Sequence, residues 1–116
     1  MRLYVSGPMR GFPHFNFPAF HSAADRLRAE GHEVFNPADP KNHRGNVDIS
    51  VNNEAGDEAQ AVRDYGFDLR DSLAIDLTWI CRHAEGIALL PGWRDSRGAM
   101  AEYATAVALG LEIIEL

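Results

Sequence analysis

Four short β-prone runs, Leu3 to Val5, Glu33 to Phe35, Gly86 to Leu90 and Glu112 to Leu116, are each separated by a stretch with helical spacing, and this alternation most narrows what the chain can fold into. The spacing predicts helices over 18–30, 63–83 and 98–109. Phe20, Ala23, Ala24 and Leu27 recur on one face of the first, Pro18 suits its start and Gly31 its end. Leu69, Leu73, Leu77 and Ile80 mark the second, and Ser96 and Gly110 bracket the third. The order β-α-β-loop-α-β-α-β demands right-handed crossovers and a parallel sheet covered on both faces. A doubly wound α/β domain of about four to five strands follows, with any ligand bound beyond the carboxyl ends of the strands. Those ends carry Ser6-Gly7-Pro8, Asn36-Pro37 and Pro91-Gly92-Trp93, so three loops are expected to meet in one cleft.

At 116 residues the chain is expected to be one domain, spanning 1–116, with self-association helping to bury more apolar surface. A formal charge of −6 argues against a nucleic-acid polymer as partner, because backbone phosphates need clustered Lys and Arg. The single cysteine, Cys81, offers neither a disulfide framework nor a thiolate zinc site, and the histidines lack metal-ligand spacing, so neither metal nor cofactor is expected. The chain opens on a strand-like run rather than a basic and apolar leader. No apolar run approaches the ~20 residues of a membrane span, so the cytoplasm is the expected compartment and no membrane a partner.

Residues 38 to 60 are polar, weakly periodic and longer than most ordered connections, which marks a functional or mobile excursion. In the first loop, Ser6, Gly7, Met9, Arg10 and Gly11 pair glycine backbone with a guanidinium, a combination that suits an anion and equally a tight strand-to-helix turn. It is neither a P-loop nor a dinucleotide fingerprint. Ser96 and Gly98 stand at the mouth of the last helix, and Glu102 lies about a turn inside it among small and apolar neighbours, so its carboxylate is expected to face a pocket. Asp76, at the approach to the third strand, is a second acid candidate, since unlike environments separate the pKa values of paired carboxylates. Trp93, just past a strand end, suits either the core or a substrate wall.

Three ordered motifs, Tyr4-Val-Ser-Gly-Pro-Met-Arg-Gly11, Asp76-Leu-Thr-Trp79 and Ser96-x-Gly-x-x-x-Glu102 followed by Ala106-x-Ala-Leu-Gly110, resemble the nucleoside 2-deoxyribosyltransferase superfamily. The resemblance runs through nearly the whole chain. It is nearest to a small branch of bacteriophages and bacteria and extends to the deoxynucleoside 5′-monophosphate N-glycosidases. It implies a flavodoxin-like sheet, a homodimer or higher homo-oligomer, and hydrolysis or deoxyribosyl transfer at the N-glycosidic bond of a nucleoside or nucleotide. By position, Glu102 would be the nucleophile on C1′, Asp76 would contact the sugar or assist the departing base, and Tyr4 would orient the site. Ser96, Gly98 and Arg10 would surround the 5′ end, where a phosphate sits in the monophosphate hydrolases. The stretch from Asp39 to Gln60 has no counterpart in the resemblance. The chain stops at Leu116 where longer relatives continue, so a more open site or a different oligomer is expected. The competing expectation is a non-catalytic protein that binds or sequesters nucleotides on the same fold.

Overall fold

Side chains alternate across a strand, so β1 (Arg2–Ser6) sends Leu3 and Val5 to one face and Tyr4 and Ser6 to the other. All four are fully buried, as a central strand with both faces covered requires. The computed structural model describes residues 1–43 and 46–116. Leu3 and Val5 pack with Phe20, Ala24 and Leu27 of α1 (Phe17–Ala29). On the opposite face Tyr4 packs with Ile80 of α3 (Leu69–His83) and with Ala99 and Ala106 of α4 (Arg97–Ala108).

The strands β2 (Glu33–Phe35), β3 (Gly86–Leu89) and β4 (Glu112–Glu115) complete a four-stranded, all-parallel sheet in the order β2-β1-β3-β4. This is the expected α/β architecture and a flavodoxin-like fold. The connection from β1 runs outward to β2, and the next returns past β1 to β3. Loops leaving β1 and β3 therefore diverge, and a crevice opens between them at their carboxyl ends. Gly7 stands at that point: a Cβ there would lie 2.7 Å from Cβ of Leu90, so only glycine lets the two strand ends approach so closely. The radius of gyration, 13.3 Å, is that of one compact domain of this length, about 13.4 Å. Among the described residues no helix is long and apolar enough to cross a membrane.

The single helix expected over 63–83 is two. The first is α2 (Glu58–Tyr65), which ends on Gly66 in the left-handed region at φ 68°. Asp68 then caps α3 by accepting from the backbone N–H groups of Arg70 and Asp71. The break turns Phe67 toward the core on the α1 side, a direction that a continuous helix would not give it. The other expected elements stand within about a residue of their predicted ends. The excursion over 38–60 holds a short 3-10 turn, Pro40–Asn42, and the start of α2, while residues 44 and 45 of it lie outside the described residues.

The first loop is also more structured than its composition suggests. His14, Phe15 and Asn16 are consecutive left-handed residues, with φ of 52°, 55° and 61°. Each conformation costs about 1–2 kcal/mol outside glycine. Burial of Phe15 and a hydrogen bond from Asn16 Nδ2 to the Pro8 carbonyl, 3.0 Å, hold the turn in place.

Candidate functional site

Tyr4 and Ser6 are two residues apart on β1, so both project onto the face that α4 covers. Glu102 shares the inward face of α4 with Ala99 and Ala106, whose small side chains let the helix lie close to the sheet. The three meet: the Tyr4 hydroxyl donates to Glu102 Oε2 at 2.7 Å, and Ser6 Oγ donates to Oε1 at 2.6 Å. Both carboxylate oxygens are thus fixed by short bonds in a buried setting.

Asp76 arrives from α3, also buried, and its Oδ1 has no hydrogen-bond partner among the described residues. Burial foremost, then the nearby charge of Glu102, pushes its carboxyl up to about 8, with the Tyr4 hydroxyl pulling weakly the other way. Burial likewise raises Glu102 to about 7, against the lowering effect of the Ser6 and Tyr4 bonds. Tyr4 is held well above its ordinary value by burial and by the two carboxylates beside it. Near neutral pH the pair therefore retains a proton.

These groups form the floor of a cavity of about 700 Å³ at the crevice between β1 and β3. Tyr4, Asp76 and Glu102 line it, as do Gly7, Met9, Arg10, Ser96 and Gly98. Ser96 Oγ caps α4 by accepting from Ala99 N–H at 3.2 Å, and the space where Gly98 would carry a Cβ is open. Arg10 reaches the mouth in an ion pair with Glu58, 2.9 Å.

Three expected substrate contacts stand elsewhere. Ser6 is fully buried behind Glu102 and holds that carboxylate rather than a ligand. Gly11 lies beside the cavity with its N–H already donated to the Gly56 carbonyl, 3.0 Å. Trp93 turns away from the cavity: its ring packs on Tyr103 at 4.6 Å, Arg94 covers it, and its Nε1–H donates to Glu115. A tryptophan needs a partner for its N–H when buried, and the Glu115 carboxylate on β4 supplies one on the far side.

The other wall was not foreseen as part of the site. Phe12, Phe15, Phe17, Phe20 and Phe67 all line the cavity, five of the six phenylalanines in the chain, with Pro37, Ala38 and Ile49 continuing the apolar surface. The signal lay in Phe12 to Pro18, where aromatic residues alternate with Pro, His and Asn in a loop. The same residues fit a helix start packing into the core, which Phe17 and Phe20 also do. One end of the cavity is therefore acidic and hydrogen-bonding, and the other is broad, apolar and aromatic.

A family model described as a domain of unknown function (DUF4406) matches residues 1–115. The chain belongs to this family. No curated protein and no solved structure matches it. Within the DUF4406 match fall the Gly7 to Gly11 loop, Asp76 and Glu102, so every group that meets at the cavity floor belongs to the family domain.

Proposed function

We propose that this DUF4406 protein cleaves the N-glycosidic bond of a deoxynucleoside or deoxynucleoside 5′-monophosphate, with Glu102 as nucleophile. The observation that carries the proposal is the buried Glu102 carboxylate, gripped by Tyr4 and Ser6 on the floor of a cavity that a second buried carboxyl, Asp76, also lines. Glycosidic cleavage passes through an oxocarbenium-like state that such a carboxylate traps as a covalent intermediate. The resemblance to the nucleoside 2-deoxyribosyltransferases supports the same assignment.

In the proposed reaction one oxygen of ionised Glu102 attacks C1′ as the bond from C1′ to the base nitrogen breaks. The electron pair of that bond goes to the base, which takes its proton from the Asp76 carboxyl. Water, or a second base in the transfer reaction, then attacks C1′ and gives its proton to the Asp76 carboxylate, and Glu102 is released as a carboxylate. Tyr4 and Ser6 aim the nucleophile and stabilise its charge. The aromatic wall from Phe12 to Phe20 takes the flat face of the base, and the loops at Arg10 and Ser96 take the 5′ end. The protein works as a homo-oligomer, and its exposed free Cys81 suits the reducing cytoplasm.

The test is chromatography of deoxynucleosides and their 5′-monophosphates after incubation with the wild type and with Glu102→Ala, with and without an added free base. Base release by the wild type, reduced at least about a thousandfold in the variant, is the expected result. A new nucleoside formed only with added base identifies transfer. Intact ligands that bind without turnover would replace the enzyme with a nucleotide-sequestering protein.

A further inference from the structure

Arg10 lines the mouth of the cavity, and its Nη1 donates to Glu58 Oε2 at 2.9 Å. Both side chains are partly exposed, 45% and 30%, so the pair adds little to stability. The segment leading to Glu58 is built closely. Asn53, 1% exposed, donates Nδ2–H to the Asp57 carbonyl at 2.9 Å and accepts the Asp57 N–H on Oδ1 at 2.8 Å. Asp57 in turn caps α2 by accepting from Ala59 N–H, which places Glu58 at the first helical position. Gly56 is pressed against the first loop: its carbonyl accepts from Gly11 N–H, and a Cβ on it would lie 2.2 Å from the Phe12 carbonyl oxygen. Glu58 and Arg10 are thus carried on two backbone segments locked together on either side of Gly11.

We infer that Glu58 is a positioning residue that holds the Arg10 guanidinium across the cavity mouth, so that its remaining donors clamp the 5′-phosphate of a nucleotide substrate. The inference rests on the proposed function above and gives the stretch over 53–58 a role. A guanidinium carries five donors in a planar fork, and Glu58 takes one. A carboxylate on one edge leaves another edge for two phosphate oxygens, the bidentate arrangement that makes such contacts strong. An arginine on a loop loses much side-chain freedom when it binds. Fixing it beforehand removes that loss from the binding step. The effect falls on phosphorylated substrates alone, because a nucleoside offers Arg10 no anion.

The test measures KM and kcat on one deoxynucleoside and its 5′-monophosphate for the wild type, Glu58→Gln, Arg10→Ala and the double variant. Glu58→Gln is expected to raise KM for the monophosphate about tenfold, with kcat nearly unchanged and no change on the nucleoside. In the Arg10→Ala background the same substitution is expected to do nothing further. Equal losses on both substrates, an effect that persists without Arg10, or tighter monophosphate binding would each overturn the inference. Should the wild type cleave neither substrate, the proposed function fails on its own, and a calorimetric titration with inorganic phosphate still decides. Weaker phosphate binding by Glu58→Gln than by the wild type upholds the positioning role, while equal or no binding ends it.

Discussion

Glu102 and Asp76 are the residues whose chemistry reaches furthest, because both carry proton affinities above those of ordinary carboxyls in a folded interior. In the unfolded chain each releases its proton near pH 4. Folded, they hold on to about 7 and about 8, so the native state binds more protons across that interval and stability falls as pH rises through it. Below about pH 4 both states are protonated and the groups contribute no pH dependence. Glu102→Gln removes one of the two. Thermal unfolding measured from pH 5 to pH 9 should therefore show a steep decline for the wild type and a shallower one for the variant, the variant gaining up to about 3 kcal/mol relative to the wild type at the alkaline end. Parallel curves would show that Glu102 is not buried as described. At this scale the sequence was informative about Glu102, since a carboxylate among Ala99, Ala101 and Ala106 has little reason to face water. It was silent on Ser6, because period-two alternation tells which face a residue takes but not which carboxylate waits there. Trp93 was ambiguous for the converse reason: its partner, Glu115, lies on a strand far along the chain.

The break between α2 and α3 is the clearest difference at the level of elements. Leu69, Leu73, Leu77 and Ile80 keep helical spacing, and Arg63 to Tyr65 extend it backward without a conflict in polarity, so periodicity alone bridges the two helices. Gly66 and Asp68 are local stop and start signals, but their weight depends on Phe67 finding a place in the core, which is a tertiary fact. Gly66 sits at φ 68° with nothing within 4 Å of a Cβ built on it, so an alanine there meets no clash and suffers only the left-handed backbone. Gly66→Ala should cost about 1 kcal/mol, read as a lower urea midpoint with an unchanged m-value. Because α3 carries Asp76 and the joint carries Phe67, the variant should also lose turnover if the joint sets the cavity wall. A variant as stable as the wild type would mean that the turn opens without cost. The run of left-handed residues at His14 to Asn16 shows the same limit of local reading: nothing in Pro-His-Phe-Asn announces it, and it is held by the burial of Phe15 and the bond from Asn16 to the Pro8 carbonyl.

For the whole molecule, the parallel, doubly wound sheet was the most legible property, because alternating strands and helices demand right-handed crossovers. What the pattern did not convey is how unevenly the outer surface is finished. The inward face of α4 is accounted for by Ala99, Glu102 and Ala106, yet Met100, Ala104 and Val107, spaced four and three apart, form an exposed apolar stripe on its outer side. Leu109 and Ile113 continue as exposed apolar side chains toward β4. A stable interface takes about 800 Å² from each partner, roughly an eighth of the 6432 Å² that this chain exposes. An exposed apolar stripe on one helix suits the proposed homo-oligomer as a two-fold pair in which the α4 helices of two copies face each other. Light scattering coupled to size exclusion should then give twice the 12.9 kDa chain mass at micromolar concentration. Val107→Glu, which places a charge on the stripe, should shift the peak to the monomer while leaving the circular dichroism spectrum unchanged. Since Glu102 faces inward from the same helix, loss of the pair should also loosen the floor of the site, and monomeric Val107→Glu should turn over more slowly than the wild type. A wild-type protein that elutes as a monomer would end the proposal of a homo-oligomer and leave the stripe as exposed surface of α4.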